Sequence, residues 1–151
     1  MKHHLNILRA TRTKIADIVE GLNLDQLNKI PEGFNNNILW NFGHIIITQQ
    51  LLCYKLSGLE CNVHEELLPL YRKGSRPEKP IEQADFQYLR AKLDETVSIL
   101  ERDLESGRFD SYTSYTTSYG ITLNTSIEAM IFNNVHEALH LGTMMTLRKL
   151  V

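Results

Sequence analysis

The stretch Asn133-Asn134-Val135-His136-Glu137-Ala138-Leu139-His140-Leu141-Gly142-Thr143 (NNVHEALHLGT) lies near the end of a 151-residue chain. It contains His-Glu-x-x-His. In metalloproteases this pattern puts two histidines on one face of a helix as zinc ligands, with the glutamate as general base. At about 100° per residue, His136 and His140 lie about 40° apart on a helix surface, so both imidazoles can reach one ion. A catalytic zinc takes three protein ligands and keeps a position open. Protease-type sites draw the third ligand from downstream, and here the eleven residues LGTMMTLRKLV that follow contain no His, Glu, Asp or Cys. The protease reading therefore fails. A third ligand must come from another helix, which requires a fold that packs two such helices face to face.

The second helix is found in ILWNFGHIIITQQLL, where His44 is flanked by Phe42, Ile45, Ile46 and Ile47. Burial among such neighbours disfavours the charged imidazole, and neutral imidazole is the form that binds metal. Trp40 and Thr48 stand four residues before and after His44, with Leu51 at seven, so all share its face. A lone histidine in an apolar helix is more often a hydrogen-bonded core residue than a ligand. Three histidines on the inner faces of two helices shift the balance towards a metal.

Four segments carry helical periodicity. The first has Leu8, Thr11, Ile15, Ile18, Val19 and Leu22; the second runs from about Asn37 to Ser57 and closes at Gly58. The third sets Phe86, Leu89, Leu93, Val97, Leu100 and Leu104 on one stripe, and the fourth starts at an Asn124 or Thr125 cap and runs to the C-terminus. A short helical turn is expected at Asp25–Lys29, and FDSYTSYTTSYGITL reads as an ordered loop, because a single isolated strand has nothing to pair with. Four amphipathic helices in one domain (residues 1–151) predict an all-α four-helix bundle with long connecting loops. Its metal site would lie between the second and fourth segments.

A formal net charge of −2 and the absence of basic runs give no reason to expect nucleic acid or an anionic membrane as partner. No apolar stretch approaches the roughly 20 residues of a membrane span, and MKHHLNILRATRTKIADIVEG has no apolar signal-peptide core. Two cysteines, Cys53 and Cys61, do not make a secreted disulfide framework. A cytoplasmic location is the simplest expectation.

Several stretches together resemble the DinB superfamily: PEGFNNNILWNFGHI (residues 31–45), YRKGSRP (71–77), SYGITLNTSIEAM (118–130) and NNVHEALHLGTMMTLRKL (133–150). The W-x-x-x-H and H-x-x-x-H-x-G elements are the specific ones. The resemblance implies a four-helix bundle holding a divalent metal on His44, His136 and His140. It implies chemistry of the kind found among thiol-dependent S-transferases with bacillithiol-like cofactors, a mycothiol-dependent isomerase and metal-dependent hydrolases. Family members often form dimers.

Glu137 then reads either as general base or as partner to a ligand imidazole; the alternative is a solvated or interface glutamate. Cys53, nine residues from His44 and so about 180° around the helix, reads as a small buried hydrophobe. Cys61, His64, His3 and His4 read as surface residues. Tyr112, Tyr115 and Tyr119 could line the site mouth, and Tyr119 joins Trp40 and Thr48 as a substrate-binding candidate. Arg72, Lys73 and Arg76 could attract a carboxylate or phosphate, although cations in a polar loop are usually solvated.

On the fourth segment, Phe132, Leu139, Thr143, Leu147 and Leu150 are expected on the histidine face. Ile127, Met130, Ile131, Leu141 and Met145 fall opposite. A helix apolar on two sides needs a cover for the second, which predicts a homodimer through that face. The functional expectation is a metal-dependent enzyme, carrying Zn²⁺ or Ni²⁺, that acts on a small-molecule substrate as a hydrolase or as a transferase with a low-molecular-weight thiol cosubstrate. The alternative is a non-catalytic bundle that binds a metal or small ligand.

Overall fold

The computed structural model describes residues 1–151. In chain order these form α1 (Lys2–Glu20), α2 (Leu24–Asn28), α3 (Ile38–Cys53), α4 (Leu68–Tyr71), α5 (Gln83–Glu105), strands β1 (Tyr115–Thr116) and β2 (Thr122–Leu123), and α6 (Ser126–Leu147). Apart from one two-stranded ribbon the chain is all-α. The long helices α1, α3, α5 and α6 are the four periodic segments. α3 packs chiefly on α6, α6 also on α1, and α5 against both α1 and α3. No helix is long and apolar enough to cross a membrane.

α3 buries 14 of its 16 residues, so it runs through the interior with no solvent face, as an all-round apolar helix must. Asn37 starts it: its Oδ1 accepts from the Trp40 N–H at 2.7 Å, a cap worth about 1 kcal/mol. Thr125 does the same for α6, accepting from the Glu128 N–H at 3.1 Å. The largest apolar cluster joins Ile15, Ile18 and Val19 of α1 with Ile38 to Ile47 of α3, Leu89 and Leu93 of α5, and Met144 and Leu147 of α6.

Two features differ from the sequence expectation. The segment read as an ordered loop carries a ribbon in which Tyr115 pairs with Leu123 and Thr116 with Thr122. The strand found its partner a few residues further along the same segment, across a turn at Gly120 with φ of 75°, a left-handed conformation that glycine adopts without a Cβ clash. On α6, Met130 is buried, Leu141 half-buried and Leu139 exposed, while Leu150, also exposed, lies beyond the end of the helix at Leu147. The solvent stripe of α6 is instead Ile127, Ile131, Val135, Leu139 and Met145, each at least 39% exposed.

α1 also buries a charge. Arg12 lies between Leu8 and Ile15 on the inward stripe and is completely enclosed, as is its partner Glu137 of α6. The guanidinium donates to Glu137 Oε1 and Oε2 at 2.8 and 3.0 Å. It also donates to the Leu93 carbonyl and Thr96 hydroxyl of α5. One side chain thus ties three helices together.

Candidate metal centre

His44 on α3 and His136 and His140 on α6 point into the contact between those helices. Each offers a ring nitrogen, and the three nitrogens all lie within 4.8 Å of one another. The ring centroids are 4.6 to 5.0 Å apart. His44 is buried and the other two are half-buried, so the cluster opens to one side.

Neighbouring groups set the tautomers. His44 Nδ1 meets the backbone carbonyl of Tyr71, which can only accept, so Nδ1 carries the proton and Nε2 is a bare lone pair. His140 Nδ1 is 2.7 Å from Asn41 Oδ1. The Asn41 amide cannot turn round, because its Nδ2 donates to the Asn37 carbonyl at 2.7 Å and to Asn36 Oδ1 at 3.1 Å. His140 therefore also donates from Nδ1 and leaves Nε2 bare. A ligand histidine is usually held in this way, by an acceptor on the far nitrogen. His136 Nε2 lies 3.1 Å from His44 Nε2, while His136 Nδ1 is buried without a partner.

This donor set fits a divalent ion. Tetrahedral Zn–N bonds of about 2.0–2.1 Å place neighbouring ligand nitrogens roughly 3.3 Å apart, close to the observed Nε2 pair. The three imidazoles are also in the right protonation state. Burial lowers His136 to about 2, with the charges of His140 and His44 adding to the effect. Burial, then His44, brings His140 to about 4. His44 is lowered by burial, against a raising contribution from the Tyr71 carbonyl. All three are neutral near pH 7, as metal binding requires.

The wall behind His44 is built from α3 and the α4 segment. Trp40 stacks on the imidazole at 4.5 Å with 14° between planes, and its Nε1 donates to Ser75 Oγ at 3.1 Å. Gly43 lets the Tyr71 ring lie against the helix: a Cβ at that position would be 2.3 Å from the ring. A side chain at residue 43 would therefore displace the ring of the same residue whose carbonyl meets His44.

A sequence profile of the DinB superfamily matches residues 7–144. The chain belongs to the DinB superfamily. A comparison with curated proteins gives no match.

In this DinB member the remaining candidates separate. Thr48 Oγ1 lies 3.4 Å from His44 Nε2, on the side shared by the histidines. Tyr119 is exposed, on the turn of the ribbon, and meets the edge of Phe132 at 5.7 Å; Phe132 stands one turn before His136. Tyr112 packs with Phe132 beside the Leu52, Leu123 and Ala129 cluster. Glu137 points away from the histidines, and both its oxygens are occupied by Arg12, with Asn133 Nδ2 donating to Oε1 at 2.8 Å. Cys53 is buried and its thiol is pushed up to about 12, first by burial and then by the Glu137 charge. Arg12, Asn41 and Tyr71 are the residues that sequence reasoning missed. Arg12 had a signal, a charge set four after Leu8 and three before Ile15, and Asn41 had one too, as a polar residue inside an apolar run.

Proposed function

We propose that the four long helices form a bundle built around a divalent-metal site, and that the protein is a metal-dependent enzyme acting on a small molecule. His44, His136 and His140 are the ligands of this reading, with Zn²⁺ or Ni²⁺ as the ion. The observation that carries it is the pair of fixed tautomers: the Tyr71 carbonyl and Asn41 Oδ1 each hold a proton on Nδ1, which leaves two Nε2 lone pairs facing the same space. Such an ion supplies Lewis-acid activation of water or of an external thiol. Three protein ligands leave room for a reactant, whereas a structural zinc is closed by four.

The protein's own residues then bind and orient. Trp40 clamps the His44 ring, Thr48 presents a hydroxyl beside it, and Tyr119 stands over the Phe132 edge of the opening. Neither protein thiol stands among the three histidines: Cys53 is enclosed and protonated, and Cys61 Sγ faces the Gln50 carbonyl, so a transferase reaction would draw on a thiol cosubstrate. Glu137 is assigned to the framework rather than to proton abstraction, because Arg12 holds both of its oxygens, Asn133 donates to Oε1 as well, and the side chain is fully enclosed. The solvent stripe of α6 is assigned to a homodimer contact: contiguous apolar surface of this kind marks an interaction site. A monomer by sedimentation at tens of micromolar would remove that contact.

Elemental analysis of untagged protein, wild type beside His44→Ala, tests the centre. The expected result is close to one equivalent of metal per chain, lost in the variant, followed by a screen for thiol transfer and hydrolysis. Metal retained by His44→Ala would break the link between α3 and α6. Absence from both, even after adding Zn²⁺ or Ni²⁺, would leave a metal-free histidine cluster and overturn the reading.

A further inference from the structure

A cavity borders Trp40 on the side away from the histidines. It measures about 580 Å³ and is bounded by the 64–81 segment and the first turns of α5. That volume is within the roughly 300–1,000 Å³ range of small-molecule sites. None of the three histidines lines it, but Trp40 and Tyr71 do, so the two residues that hold His44 form the partition between cavity and centre.

The walls are of two kinds. Trp40, Tyr71 and Tyr88 are aromatic, and Leu67, Leu70 and Ile81 add aliphatic surface. Arg76 and Lys79 bring positive charge, while Asp85, Glu66 and Glu78 bring negative charge. Of these charged groups only Glu66 is in an ion pair, a long one with His64 at 3.6 Å. Arg76 and Lys79 are carried by Arg76-Pro77-Glu78-Lys79-Pro80, where two proline rings restrict the backbone that bears the cations. Asp85 lines the cavity from a different element, the first turn of α5. Arg72 and Lys73, also cationic and nearby in sequence, do not line it.

Charges of both signs around an aromatic floor suit a ligand that carries both charges and an apolar body better than a purely apolar or singly charged one. We propose that this cavity is a binding site for a small zwitterion with an apolar body, of the amino-acid or short-peptide class. Its carboxylate is taken by Arg76 and Lys79 and its ammonium by Asp85, and its body lies on Trp40 and Tyr88. The site is separate from the histidine centre and stands or falls without a metal.

Trp40 is the only tryptophan in the chain and borders both the cavity and His44, so its fluorescence reports binding on either side and the Arg76 and Asp85 variants assign the signal to the cavity. The metal-free protein is titrated with the dipeptide phenylalanyl-leucine and, in parallel, with its N-acetylated and C-terminally amidated forms. A saturable change is expected for the free dipeptide below about 10 mM, with each blocked form at least tenfold weaker (about 1.4 kcal/mol). Arg76→Ala should weaken the free and N-acetylated forms by about tenfold and leave the amide unchanged; Asp85→Asn should weaken the free and amidated forms and spare the N-acetylated one. Both positions are exposed, so neither change threatens the fold. No saturable response to the free dipeptide, or equal affinities for all three, overturns the proposal.

Discussion

Glu137→Gln is the substitution that separates a framework carboxylate from a catalytic one. The wild-type carboxylate accepts from Arg12 Nη2 at 2.8 Å, from Arg12 Nε at 3.0 Å and from Asn133 Nδ2 at 2.8 Å, and both partners of the ion pair are fully enclosed. Glutamine keeps the shape and one acceptor but leaves the guanidinium charge uncompensated in the interior. Removing one partner of a buried pair costs about 3–5 kcal/mol. At about 2–4 °C per kcal/mol for a chain of this length, the melting temperature should fall by about 6–20 °C. Arg12→Met should cost a similar amount by stranding the carboxylate. The double variant Arg12→Met/Glu137→Leu removes both charges and should cost only about 1–3 kcal/mol, chiefly because the Asn133 amide loses its acceptor. Urea denaturation followed by circular dichroism measures all three. Single variants within about 1 kcal/mol of wild type, or a double variant whose loss equals the sum of the singles, would refute the framework assignment.

Three further outcomes follow from the site. Asn41→Leu frees the His140 tautomer and should weaken metal binding by about 10–100-fold, read by competition with a chromophoric chelator; unchanged affinity would mean that Asn41 does not orient the ring. Gly43→Ala drives a Cβ into the Tyr71 ring and should cost about 1–3 kcal/mol, and it should also weaken metal binding, since the Tyr71 carbonyl must move; a neutral melt would contradict the close approach. The metal-free protein should lose stability in mild acid. The folded pKa values of His44, His136 and His140 lie below the ordinary histidine value, so the unfolded chain binds protons that the folded chain refuses. Stability is therefore level above about pH 6.5 and falls below it, by up to about 1.4 kcal/mol per pH unit for each histidine, until the folded values are reached near about pH 4 for His140 and lower for His136. Melts between pH 7.5 and 5 that show no change, or a slope unaltered by His136→Gln, would sink that account.

The histidine triad was legible because helical geometry translates spacing into direction. An i, i+4 pair must share a face, and a single histidine inside an apolar helix must turn inwards wherever that helix is buried all round, as α3 is. The groups that make the triad usable were less accessible. The Tyr71 carbonyl is a backbone atom delivered by a short helix 27 residues away, and no side-chain pattern announces which carbonyl will arrive. Thr11 and Arg12 are adjacent on α1, and the periodicity assigns Thr11 to the inward stripe. The interior takes Arg12 at full burial and leaves Thr11 only half-buried, because a carboxylate on α6 waits for the guanidinium. In the Tyr-rich segment the β-branched and aromatic residues do favour strand, and it is the argument from a missing partner that fails: they pair within the segment, through the turn that Gly120 permits.

The buried ion pair bears on the metal centre through rotation of α6. Glu137 follows His136 directly and precedes His140 by three residues, so the angle at which Arg12 holds Glu137 is also the angle at which the two imidazoles meet His44. With side chains extending about 5–6 Å from a helix axis, a 20° turn of α6 would carry an imidazole sideways by roughly 2 Å. Metal ligands tolerate only about 0.2 Å. Apolar contacts alone define such an angle loosely, since Leu and Met side chains repack at small cost, whereas the paired carboxylate and guanidinium meet through directional bonds. The double variant Arg12→Met/Glu137→Leu should accordingly fold and still carry its three histidines, yet release metal more readily than wild type to a competing chelator. Equal affinity in that variant would show that packing alone sets the rotation of α6, and that Arg12 and Glu137 contribute to stability without shaping the centre.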